Sequence, residues 1–162
     1  INMFLNEQCK NAMNLTDFID SLPITAETFD YTNQNGLTKS LTHMMVKGLN
    51  GMDVLDRPIH CTDPHRKTMY VKENDIWEKD SNQETVIKGI DKLAVKQRTN
   101  ISKWQEANSG WQTDDNLQTK LTNIVGKSLI LVERNEKEIN KILKELGKIT
   151  YIPDDVKKQI IE

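Results

Sequence analysis

Apolar positions recur at three- and four-residue intervals over residues 4–22, where Phe4, Leu5, Cys9, Ala12, Met13, Leu15, Phe18, Ile19 and Leu22 predict an amphipathic helix broken near Asn14. Thr16 and Asp17 can cap a second short helix inside it, and Pro23 stops the run. A short helix is expected from Thr25, with Thr28 standing where a capping box would carry Glu. Asn33-Gln34-Asn35-Gly36 reads as a turn, because Asn and Gly tolerate positive φ. Beyond it Leu37, Leu41, Met44, Met45, Leu49, Met52 and Leu55 predict a long helix over 37–55.

At Arg57 the period changes from helical to alternating. Ile59, Cys61, Met69 and Val71 alternate with polar residues on both sides of an Asp63-Pro64-His65-Arg66 turn, which predicts a hairpin. Residues 76–78 can add a third strand after the turn at Glu73-Asn74-Asp75. A helix capped by Ser81 or Asn82 is expected next, carrying Val86, Ile87, Ile90, Leu93, Ala94, Gln97, Ile101 and Trp104, until Asn108-Ser109-Gly110 breaks it. The last third repeats apolar residues from Leu117 to Ile149 at nearly heptad intervals, with Ser128 and Asn135 where a strong coiled coil would place aliphatics. Pro153 precedes a short final helix.

The fold class expected is mainly α with a small antiparallel β-hairpin (α+β), helices flanking a two- or three-stranded element and a long helical C-terminal part. Two regions follow: a helical domain over 1–111 with the hairpin inserted at about 57–79, and a helical, coiled-coil-like extension over 112–162. In the extension Leu117, Leu121, Ile124, Ile139, Ile142 and Leu146 form the candidate interface, packing on the domain or on a second copy.

Composition narrows the function classes. The 162 residues carry 22 Lys+Arg against 24 Asp+Glu, a net charge of -2, so whole-domain electrostatic binding to nucleic acid is disfavoured. The charge is uneven, at -4 over residues 1–56, +3 over 57–103 and -1 over 104–162, so an anionic partner would meet the middle segment. With 18 Lys and 4 Arg the chain is poor in the planar fork that reads guanine. No apolar run approaches the roughly 20 residues of a membrane helix, so no membrane association is expected. Two cysteines are too few for a disulfide framework, which makes a reducing, intracellular compartment the default. The start at Ile1 suggests a piece of a longer chain.

Candidate chemistry concentrates at His60-Cys61-Thr62-Asp63-Pro64-His65. A structural metal would need His43 or Cys9 as a further ligand, because adjacent His60 and Cys61 point to opposite faces of a strand. A Cys61 nucleophile with His60 or His65 as base is the corresponding catalytic reading, but alternation puts Cys61 beside Ile59 as a buried thiol. No phosphate loop or Ser elbow appears. The chain is therefore expected to be no enzyme and to hold no metal or cofactor. His43, beside its helix stripe, is read as a surface or partly buried histidine without a role. Arg57, His65, Arg66, Lys67 and Lys72 would line a winged-helix-like wing for DNA or RNA; a solvated hairpin protected by its charges is favoured over it. Trp77, Trp104 and Trp111 are expected to form a packed rib between sheet and long helix, not a base-stacking platform.

The stretches Arg57-Pro58-Ile59-His60-Cys61-Thr62-Asp63, Tyr70-Val71-Lys72 and Trp77-Glu78-Lys79-Asp80, with the opening Phe4-Leu5-Asn6-Glu7-Gln8-Cys9-Lys10-Asn11-Ala12-Met13-Asn14, resemble an uncharacterised C-terminal domain of zinc-finger-containing proteins in nucleocytoplasmic large DNA viruses. The resemblance covers most of residues 4–111. In that family the domain follows a Cys2His2-type zinc finger, absent here, and no activity or catalytic residue comes with it. It implies a module of a longer viral protein, in the host cytoplasm, the viral factory or the virion. The function expected is non-catalytic: self-association or binding of another viral protein, within a zinc-finger regulator or a viral assembly. DNA or RNA binding through 57–72 is the alternative.

Overall fold

A computed structural model describes residues 1–155. The chain is α+β and mainly helical, with one three-stranded antiparallel sheet in the order β1-β2-β3. A single turn of π-helix, Phe4–Gln8, opens it, and α1 spans only Leu15–Ser21, so residues 9–14 break the expected N-terminal helix. Thr25 caps α2, Ala26–Asn35, through a reciprocal box: the Thr28 amide donates to the Thr25 hydroxyl (3.4 Å) and the Thr25 amide to the Thr28 hydroxyl (3.2 Å). Threonine thus replaces the acidic partner of the usual box.

The Asn33–Asn35 segment stays helical, contrary to the turn its composition suggests. The whole reversal into α3, Leu37–Asn50, happens at Gly36, whose φ of 86° and ψ of 166° lie where side chains other than hydrogen are strained. α3 ends five residues before the expected Leu55; Val54 and Leu55 sit exposed in a 3-10 turn.

β1 (Ile59–Asp63) pairs with β2 (Thr68–Glu73), Ile59 opposite Val71 and Cys61 opposite Met69, with a register shift between Cys61 and Asp63; β2 pairs with β3 (Ile76–Lys79). Strand alternation gives the sheet two covered faces. Ile59, Cys61, Met69 and Val71 join the main core, while His60, Tyr70, Lys72 and Trp77 lie under the N-terminal segment, beside a second small cluster of Phe4, Leu5, Cys9, Ala12 and Ile152. The free edge of β1 is closed by residues 150–152: the Cys61 amide donates to the Thr150 carbonyl and the Ile152 amide to the Cys61 carbonyl, both at 2.9 Å.

α4, Glu84–Arg98, is capped not by Ser81 or Asn82 but by buried Asp80, whose two carboxylate oxygens accept from the Thr85 and Val86 amides at 2.9 Å. α5 (Ser102–Ala107) carries buried Trp104, whose indole donates to Asp30. α6 (Asp115–Ser128) and α7 (Glu136–Ile149) begin at Asp114 and Asn135, and each cap side chain accepts main-chain N–H groups.

The C-terminal stripe packs inward, which corrects its reading as an interface. Ile124, Ile139, Ile142 and Leu146 are buried, and Leu117 and Leu121 are half-buried against the same core as Leu15, Leu41 and Leu93. α7 lies along α3 and passes over the sheet at Gly147, where a Cβ would make ordinary contact, 3.6 Å from the Cys61 Sγ. Residues 112–155 therefore complete the core begun by 1–111 instead of extending from it. The helix expected after Pro153 falls largely on 156–162, outside the described residues.

Candidate functional site

The chemistry suggested around Cys61 is dispersed by the fold. Cys61 faces the main core; His60 points to the opposite side of the sheet; His65 is exposed on the hairpin turn and His43 on α3. Cys9 does reach His60, its Sγ lying 3.6 Å from Nε2, but both are buried and no third ligand completes a cluster among the described residues. Burial, reinforced by Asp56 and opposed by Lys72, pushes the Cys9 thiol up to about 12. Burial and then Arg57 pull His60 down to about 4. Near neutral pH the pair is thus a neutral thiol against a neutral imidazole, the reverse of an activated nucleophile. The imidazole is held edge-on to Phe4 (5.4 Å) and tilted on Trp77 (5.5 Å), whose indole donates to the Cys9 carbonyl.

The five wing candidates divide into two groups. Arg57 donates from Nε to the Leu49 carbonyl (2.9 Å) and from Nη1 to the Ile149 carbonyl (3.0 Å), joining the ends of α3 and α7. Lys72 is 6% exposed and donates to the Lys10 and Ala12 carbonyls at 2.8 Å, which anchors the N-terminal segment. Those two are internal fasteners. His65 and Arg66 remain exposed at the hairpin tip, Arg66 beside Asp63 at 3.8 Å, and Lys67 is half-buried in the left-handed conformation (φ 54°).

Two surfaces border the α2/α3 hairpin. At Gly36 the helices meet; Thr32 and Ser40 bond there at 2.8 Å, and the Tyr31 and His43 rings stack at 4.5 Å. Between the two helices lies a cleft of about 580 Å³ whose lining includes Leu22, Pro23, Tyr31, His43, Met44 and Gly48. Gly48 makes its floor possible, since a Cβ would come within 2.5 Å of the Leu22 side chain and 3.0 Å of Phe18. Glu27 stands on the α2 bank and Lys47 on the α3 bank. A backbone N–H at the helix start and the Thr25 hydroxyl hold the Glu27 carboxyl below the usual carboxylate range, so it stays ionised.

At the closed end lies an apolar knob. Leu129, Ile130 and Leu131, with Val125 one turn earlier, are 63%, 49%, 43% and 41% exposed, whereas Val132 turns into the core. The root of the knob is fixed: Arg98 donates to the Ser128 carbonyl at 3.2 Å, and Lys127 donates to the Asn33 carbonyl. Ile130 sits beside Asn35, Gly36 and Leu37. The signal for this surface was present as three aliphatics in a row between two helices, a run that neither helical nor alternating spacing explains.

No family model, curated protein or solved structure matches this chain. No helix among the described residues is long and apolar enough to cross a membrane.

Proposed function

We propose that the chain is a non-catalytic protein-interaction module that works by self-association or by binding another protein. The observation that carries the reading is the exposed Leu129-Ile130-Leu131 knob with Val125. Contiguous exposed aliphatics on a fixed corner are costly in water and mark contact surfaces. The buried, neutral Cys9–His60 pair supports the absence of catalysis by thiol chemistry. The viral setting, as a module of a zinc-finger protein or a viral assembly acting inside the host cell, is part of the proposal and rests on the resemblance of 4–111 alone. Size-exclusion chromatography with light scattering tests the reading. A mass above the monomer that falls in Leu129→Asp is expected, and a strict monomer at high concentration removes self-association.

A second reading, nucleic-acid binding, keeps the hairpin tip formed by exposed His65 and Arg66 and half-buried Lys67. Replacing Arg66 and Lys67 by Ala should then weaken binding to duplex DNA and flatten its salt dependence. Affinity unchanged by the substitutions, or absent in the wild type, ends that reading.

A further inference from the structure

We infer that residues 4–12 form an acid-released strap: protonation of His60 frees them from the outer face of the sheet while the main core stays folded. The inference goes beyond the interaction reading and stands apart from it. Packing is the first ground. Phe4, Leu5, Cys9 and Ala12 make a small cluster of their own with Ile152, whereas the buried residues of the main core begin at Leu15. Side chains of the sheet fasten the strap by its main chain: Lys72 donates to the Lys10 and Ala12 carbonyls, and the Trp77 indole donates to the Cys9 carbonyl at 3.1 Å. A satellite cluster this small, clasped through a few polar bonds, opens at a lower free energy than the core beneath it.

His60 is the second ground, because it stands between strap and sheet. Its ring meets Phe4 edge-on and leans on Trp77, and Nε2 lies 3.6 Å from the Cys9 Sγ. The residue is 1% exposed, and Nδ1 has no hydrogen-bond partner. A neutral imidazole tolerates that seat. The protonated ring carries an N–H on both nitrogens, one without an acceptor and the other aimed at a thiol, which accepts weakly. Charged neighbours do not relieve it. Ahead of β1, Arg57 acts against the charged ring, while Asp56 acts on Cys9. On β2, Lys72 is a second buried cation, Tyr70 is half-buried and Glu73 accepts from Thr16. Asp63 of β1 pairs with Arg66. Glu7 and Lys10 on the strap, Glu78 and Lys79 on β3 and Asp154 after α7 are exposed. His43 and His65 are exposed as well, so acidification charges a buried imidazole at His60 alone.

Burial and Arg57 hold protonation of the seated ring down to about 4, whereas a ring released to water takes its proton near 6.5. Between these values protons favour the released strap, and the open fraction rises about twentyfold from pH 7 to pH 5. Release uncovers the Trp77 indole, the Lys72 ammonium and the Cys9 thiol together.

Hydrogen exchange of the full chain at pH 7 and pH 5, read amide by amide and corrected for intrinsic exchange, tests this. The Leu5, Cys9 and Ala12 amides, bonded to the Ile1, Phe4 and Cys9 carbonyls, report the strap; amides in the middle of α3 and α7 report the core. Strap opening should rise about twentyfold at pH 5 and ignore low urea, because release exposes little surface. Core amides should stay better protected at both pH values and respond to urea. In His60→Phe the pH dependence of strap opening should vanish, and His60→Gln takes its place if that variant loses its native circular dichroism. Strap amides that share the protection and urea response of the core overturn release from a folded core. Strap opening that is unchanged at pH 5 in wild type, or that still rises twentyfold in the variant, overturns His60 as the trigger.

Discussion

His60 is an imidazole enclosed by Phe4, Trp77 and Cys9, with Nδ1 lacking a partner, and its proton affinity is linked to folding. The folded ring resists protonation down to about 4, whereas an unfolded histidine takes up a proton near 6.5. Between these values the unfolded chain binds the extra proton, so stability is full above about 6.5 and falls as pH drops toward 4, by on the order of 3 kcal/mol. Cys9 acts at the other limit: its unfolded thiol ionises near 9 and its folded thiol near 12, so stability also falls as pH rises past 9. Urea midpoints from pH 4 to 10 should therefore trace a plateau between about 6.5 and 9, and His60→Phe should remove most of the acid limb. An acid limb of the same steepness in His60→Phe would refute this assignment. Lys72 is a buried residue whose role is a hydrogen-bonding one. Replacing it by Met leaves the Lys10 and Ala12 carbonyls without their donor, at an expected cost of about 2–3 kcal/mol. The N-terminal segment should loosen first, so Cys9 in Lys72→Met should react with iodoacetamide much faster than in wild type. Sequence alone showed Lys72 as one cation of a basic hairpin. Its burial depends on residues 9–14 leaving the helix and crossing the sheet, a long-range contact that carries no local pattern.

At the level of elements, glycine gives a contrast that separates conformation from packing. Gly36 has open space around its Cβ position but adopts φ 86°, ψ 166°; Gly126, inside α6, also has open space and no positive φ. Gly36→Ala should cost about 1–3 kcal/mol from strain alone, whereas Gly126→Ala should stabilise by about 0.5–1 kcal/mol. Differential scanning calorimetry should move the two melting temperatures in opposite directions, and equal shifts would contradict the backbone geometry. Strong stripes were legible in the sequence: α3 and the sheet lie close to where periodicity puts them, whereas the single helix expected through Trp104 is divided at 99–101 into α4 and α5. The errors arose where composition and packing disagree. Asn33–Asn35 looked like a turn, yet Thr32 in that turn of helix bonds Ser40 and accepts from Gln97, which holds the backbone helical up to Gly36. Asp80 caps α4 from outside the helix, across a 3-10 turn, so its role carries no local capping pattern.

Across the whole molecule, what separated two regions in the sequence was a change in apolar spacing after Trp111. Spacing measures one helix at a time and cannot say which surface that helix covers. Ile142 and Leu146 on α7 lie in one cluster with Leu41, Leu93 and Met69, and Arg57 ties the carbonyls at the ends of α3 and α7. The near-heptad series runs through Val125, Leu129 and Leu131 as well, yet these three face solvent while Ile124, Ile142 and Leu146 face the core. A shared core implies shared unfolding. Trp104 reports the main core and Trp77 the sheet face under the N-terminal segment, so tryptophan fluorescence and far-ultraviolet circular dichroism should give one coincident denaturation curve. Ile142→Ala should shift both probes together by about 2–5 kcal/mol, the cost of a truncated buried aliphatic. Were 112–162 an independent extension, the variant would melt the helical signal in part and leave Trp77 unchanged. Residues 1–111 expressed alone would then fold, whereas a chain deprived of α7 and of the strand partner at 150–152 should lack a cooperative transition.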